Sequence, residues 1–175
     1  MTAFTRFAAT GLLALSATAC VENTHSTKAM VDAMSSCEKV NALIKSHSDG
    51  FSKIRTNKSI TPRIDIWKAR YHLVGDSCQV WGLSDNRFDY VCSATAPTEY
   101  IARQWYEKAK IETDKCLDDS WTMSESPRSI GNGDKAVFSQ KNSDLKIATH
   151  VIETRGLFKS EWATYYFVGN SQEEL

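Results

Sequence analysis

Five cysteines, at positions 20, 37, 78, 92 and 116, limit what this 175-residue chain can fold into more than any other feature. Four of them lie in the body of the chain. No two have the Cys-x-x-Cys spacing from which tetrahedral metal sites commonly draw their thiolates. Two disulfides are therefore the expected use, with no metal and no cofactor. Four cysteines allow three pairings, and hairpin geometry favours one of them. Ser77 to Leu83 and Phe88 to Ala94 read as strands on either side of the turn Ser84-Asp85-Asn86-Arg87. A hairpin centred on Asp85 sets Cys78 opposite Cys92, Val80 opposite Tyr90 and Gly82 opposite Phe88, which gives one coherent apolar surface. The helix that follows runs back beside the sheet for about 24 Å, at roughly 1.5 Å per residue, and carries Cys116 away from that end. Cys37, on the inward face of the first helix, is then its expected partner. Against this, directly opposed strand residues often sit slightly too far apart for a disulfide, and a one-residue slip of the hairpin would undo the pairing.

The first 19 residues have the order of a secretion signal. Arg6 supplies the positive charge, Phe7 to Leu15 the apolar run, and Ser16 to Ala19 the small residues before Cys20. The apolar run is far short of the roughly 18 to 20 residues needed to cross a bilayer. Ala17-Thr18-Ala19-Cys20 resembles the lipobox of bacterial lipoproteins, with Ala17 where that family usually has Leu. The resemblance covers only the first 20 positions. It implies that Cys20 is acylated and becomes the mature N-terminus, on a tether reaching to residue 27. Val21 in place of the Asp that often signals inner-membrane retention implies the outer membrane, facing the periplasm. The same residues also satisfy the A-x-A pattern of ordinary cleavage, which would leave a soluble periplasmic protein. Cysteine parity favours acylation: removing Cys20 leaves an even set in a compartment where disulfides persist.

About 155 residues remain beyond the signal, the size of one ordinary domain, expected over 28–169 with a loose tail over 170–175. Apolar residues at Met30, Ala33, Met34, Cys37, Val40 and Ile44 recur at helical spacing from Lys28 to Ser46. The segment from Phe51 to Thr61 reads as a loop or edge strand. Ile64 to Val74 alternates with period two, placing Trp67, Ala69, Tyr71 and Leu73 on one face and Lys68, Arg70 and His72 on the other. After the hairpin, Pro97-Thr98-Glu99 opens a helix to about Asp114. Ser124 to Asp134 reads as a polar loop, and strands follow at about Lys135 to Gln140, Lys146 to Glu153 and Ser160 to Val168. The expectation is an α+β domain: two helices packed on one face of an antiparallel sheet, with a possible αβββαβββ pseudo-repeat and two disulfide staples.

Lys plus Arg and Asp plus Glu are equal at 21 each, which argues against a general nucleic-acid binder. No Gly-x-Ser-x-Gly elbow occurs, and His47, His72 and His150 lack an evident nucleophile beside them. Asp118-Asp119 reads as a solvated turn. Gly131-Asn132-Gly133-Asp134 lacks the acidic spacing and distal Glu of a calcium loop. Most of Trp67, Trp81, Trp105, Trp121 and Trp162, with Tyr165 and Tyr166, are expected in the core. Trp81 is the best exception, since it lies on the face opposite Val80. Trp81 with the basic stripe Lys68, Arg70 and His72 is the candidate surface for a partner. The expected function is that of a non-enzymatic envelope lipoprotein that binds another periplasmic or envelope protein, as an accessory subunit of an envelope or secretion machine or as an inhibitor or immunity-type binder. A module for glycans or small molecules is the first alternative, and a hydrolase using His72 or His150 the second.

Overall fold

The computed structural model describes residues 24–59, 61–83, 86–155 and 160–170. The signal segment, Cys20 and the end of the tail lie outside them. Helix α1 (Thr24–Ala33) begins earlier than the expected Lys28, and it does not run on to Ser46. Ser35 interrupts it. The Ser35 side chain accepts the Glu38 backbone N–H while the Glu38 carboxylate accepts the Ser35 N–H at 2.7 Å, a capping box that starts helix α2 (Ser36–Ser46) afresh. After a 3-10 turn (His47–Asp49), strand β1 (Arg55–Ser59) settles the ambiguous segment as an edge strand.

Strand β2 (Asp65–Ala69) is shorter than the period-two pattern suggests. Beyond Ala69 the Arg70 N–H donates to the Ile54 carbonyl, and the Tyr71 carbonyl accepts the Tyr90 hydroxyl at 2.8 Å, so these groups leave the ladder. Strands β3 (Ser77–Gly82) and β4 (Phe88–Ala96) form the expected hairpin, with Cys78 against Cys92, Val80 against Tyr90 and Gly82 against Phe88. Helix α3 (Glu99–Cys116) is capped by Thr98, whose hydroxyl accepts the Ile101 N–H. The expected polar loop shrinks to residues 128–132: its first part belongs to strand β5 (Trp121–Pro127), paired along its length with β6 (Gly133–Gln140). Strands β7 (Lys146–Arg155) and β8 (Ser160–Gly169) complete the sheet.

All neighbouring strands are antiparallel, in the order β1-β2-β3-β4-β8-β7-β6-β5. Each half is a meander running from an edge to the centre, and α3 carries the chain from the central β4 out to the far edge. The halves thus repeat as helix plus four strands, each gaining an edge strand that lacks apolar alternation. Helices α2 and α3 cover one face. The core lies beneath them, with Val40 and Leu43 of α2 meeting Val80, Tyr90, Phe138, Ile147, Tyr166 and Val168. Each large apolar side chain fully buried there contributes about 1.5–3 kcal/mol. A smaller cluster joins Ala102 and Tyr106 of α3 to Ala96, Ala136 and Val151. Two buried hydrogen bonds fix the register of α3 on β8, from the Thr164 hydroxyl to the Ala102 carbonyl and between the Thr113 and Tyr166 hydroxyls, each 2.8 Å. Both expected disulfides form, Cys37–Cys116 between α2 and α3 and Cys78–Cys92 across the hairpin. The hairpin pair has its Cα atoms 4.0 Å apart, the close approach of a non-hydrogen-bonded pair, which answers the distance objection.

Candidate functional site

Because side chains alternate along each strand, half of the sheet's residues point away from the helices. Three rows on that open face follow from the register. The middle row runs Lys68, Gln79, Val91, Phe167, Ala148 and Val137 from β2 to β6. Beside it run Ser77, Ser93, Tyr165, His150 and Lys135, and on the other side Ile66, Trp81 and Asp89. Its centre is aromatic. The Tyr165 and Phe167 rings stack with centroids 6.0 Å apart and planes only 8° from parallel, and His150 meets Phe167 edge-on at 5.2 Å. Val91, Ala148 and His150 are buried on this face although α2 and α3 lie on the other side of the sheet.

Trp81 is half-buried here, and its indole N–H donates to the Gln79 side-chain oxygen at 2.8 Å, which fixes the ring against the strand. Lys68 is exposed in the adjacent strand, opposite Gln79. Arg70 is exposed just past the end of β2. Lys68 and Trp81 thus gather at one side of the open face, whereas Arg70 lies past the last ladder residue of β2. His72 does not join them, because β2 stops at Ala69. It is exposed in the β2–β3 connection with its Nδ1 3.9 Å from Asp76 Oδ1, beyond hydrogen-bond reach. The other tryptophans lie on the helix side: Trp67 and Trp121 pack on the main core, and Trp162 of β8 and Trp105 of α3 on the smaller cluster.

The other candidates have structural occupations. His150 lies under Phe167 with Arg128 Nη1 3.3 Å from its Nδ1. His47 meets Phe51 edge-on at 5.7 Å. The Ser120 hydroxyl and backbone N–H donate to Asp118 and hold its carboxyl below its ordinary range. Asp134, at the end of the glycine turn, is taken by Arg103. Among the described residues no three His, Cys, Asp or Glu side chains converge as metal ligands, and no helix is long and apolar enough to cross a membrane.

Sequence reasoning missed Phe167, although its period-two phase with Tyr165 gave the signal. It also missed Arg55, which no apolar pattern marks. A cleft of about 300 Å³ on the helix side is lined by Leu73, Val74, Trp105 and Ala109, with the Lys108–Glu112 pair, 3.8 Å apart, also on its wall. Compared with known protein families, with curated proteins and with solved structures, the chain matches none.

Proposed function

We propose that this chain is an envelope lipoprotein whose domain is a non-enzymatic protein-interaction module. A signal over residues 1–19 directs export, and acylated Cys20 anchors the domain to the outer membrane on its periplasmic side. The domain meets its partner through the open sheet face. The observation that carries the reading is the composition of that face: stacked Tyr165 and Phe167 at its centre, with Trp81 and exposed Lys68 at one side. Aromatic side chains anchor protein contacts, and rim cations steer an acidic partner toward them. The disulfide pairing adds support for the anchor, since Cys37–Cys116 and Cys78–Cys92 leave Cys20 with no cysteine in this chain to bridge.

The test is site-specific photo-crosslinking in the native envelope. A photoreactive side chain at Gln79 or Ser93, on the open face, is expected to give one discrete adduct. The same side chain at Lys108, on α3, gives none, and Trp81→Ala abolishes the Gln79 adduct while near-ultraviolet dichroism shows the fold intact. Equal adducts from both faces, or an adduct indifferent to Trp81→Ala, would sink the reading.

A further inference from the structure

Arg55, the first residue of β1, is held in a way that no other arginine of the described chain is. Its guanidinium carbon lies 4.6 Å from the Trp67 ring centroid and 4.7 Å from that of Phe88, with the two rings 6.0 Å apart. The cation therefore sits in the angle between two tilted rings, in reach of both. Each ring in turn lies against a glycine. A Cβ on Gly50 would stand 2.7 Å from Phe88 Cδ2, and one on Gly82 would stand 2.9 Å from Trp67 Cζ3, so neither position can carry a side chain without displacing the stack.

The other half-buried arginines have polar partners: Arg103 takes Glu99 and Asp134, and Arg128 takes the Ile130 carbonyl and His150. Among the described residues Arg55 has neither a carboxylate in ion-pairing distance nor an acceptor for its side-chain donors. Ring contacts hold the guanidinium by its charge and leave its N–H donors for a ligand. Arg55 lines a cleft of about 470 Å³, to which His47, Asp49, Asn86 and Asn170 also contribute. Asp49 already accepts the Ser52 N–H and hydroxyl, at 3.2 and 2.9 Å.

We infer that this cleft binds a carboxylate, received by the Arg55 fork. One guanidinium matches one carboxylate in charge and in bidentate geometry. A phosphate, carrying more charge, would face the Asp49 carboxylate with the same single compensating cation. The carboxylate is either that of a free small acid or a Glu or Asp side chain of a partner. This inference stands apart from the open-face reading, since Arg55, Trp67 and Phe88 belong to the helix side of the sheet.

Nuclear magnetic resonance of the nitrogen-15-labelled protein tests it, with N-acetylglycine as the free acid and acetyl-Gly-Glu-Gly-amide as the side-chain source. Saturable shifts are expected at the Arg55 side-chain Nε–H and the Asn86 and Asn170 amides, and the tighter of the two probes identifies the source. Arg55→Lys, which keeps the charge and loses the fork, is expected to weaken binding about tenfold. Asn86→Asp leaves the stack untouched, adds a repelling charge and weakens binding similarly, whereas Arg63→Lys changes nothing. Shifts that do not saturate, that survive Arg55→Lys, or that inorganic phosphate produces at lower concentration than either acid would overturn it.

Discussion

Glu125 shows how a single polar residue can anchor an edge strand that offers the core little apolar surface. The Tyr106 hydroxyl donates to its carboxylate at 2.7 Å and Lys110 Nζ at 2.9 Å, and these bonds, the tyrosine's first, hold the Glu125 carboxyl below its ordinary range. Burial pushes the Tyr106 hydroxyl the other way, so it remains a donor throughout the accessible pH range. A carboxyl whose pKa is lowered by folding adds stability above its unfolded value, about 4.3, and loses it as pH falls through the folded value. The melting temperature is therefore expected to fall as pH drops below about 4. In Glu125→Gln that acid limb becomes shallower, while the neutral-pH value falls slightly, because the side chain is 40% exposed and solvent screens the pair. Identical acid limbs in the two proteins, measured by calorimetry, would remove Glu125 from the account. Residues of the open face were legible to the extent that alternation held. Trp81 falls opposite Val80 by period two alone, whereas His72 was misplaced because the Tyr90 hydroxyl captures the Tyr71 carbonyl, a long-range contact that no local pattern records.

Among elements, the hairpin of β3 and β4 was readable because apolar alternation and the cysteine pair specify the same register, and a slip of one residue would spoil both. Edge strand β5 was hidden, and β1 could be read only as a loop or an edge strand. Their residues are largely exposed, so burial imposes no period on Arg-Thr-Asn-Lys-Ser or Trp-Thr-Met-Ser-Glu-Ser-Pro, and their strand character comes from backbone pairing with β2 and β6. The break between α1 and α2 was hidden differently, since apolar positions continue through it at helical spacing. Its signature, Ser35-x-x-Glu38, was nevertheless present in the sequence. Ser35→Ala removes the acceptor for the Glu38 N–H and half of the reciprocal cap, and about 1 kcal/mol of stability with it. Denaturant unfolding measures that loss. A loss near zero would mean that the Cys37–Cys116 bond, one residue inside the helix, already fixes the start of α2 without the cap.

The strand order makes the molecule two meanders joined where β4 meets β8, and the two disulfides act at different levels of that plan. Cys78–Cys92 closes a sequence separation of 14 within one hairpin, where the β3–β4 ladder already holds the same residues in place. Cys37–Cys116 closes a separation of 79 and fastens the helix that opens the first half to the helix that opens the second. In the chain-entropy account these loops restrict the unfolded state by about 3 and about 4.5 kcal/mol. Replacing Cys37 and Cys116 together by Ala is therefore expected to destabilise more than replacing Cys78 and Cys92, by about 1–2 kcal/mol in denaturant unfolding. The β3–β4 pair also sits in the core, however, with Cys92 fully buried, so its replacement carries a packing loss that narrows the gap. Kinetics separates the two contributions. A constraint on the unfolded ensemble slows folding when it is removed, whereas a packing defect formed late mainly speeds unfolding. Removal of Cys37–Cys116 should then appear chiefly in the folding limb and removal of Cys78–Cys92 chiefly in the unfolding limb. The reverse assignment would mean that the two halves fold independently and are only clipped together afterwards.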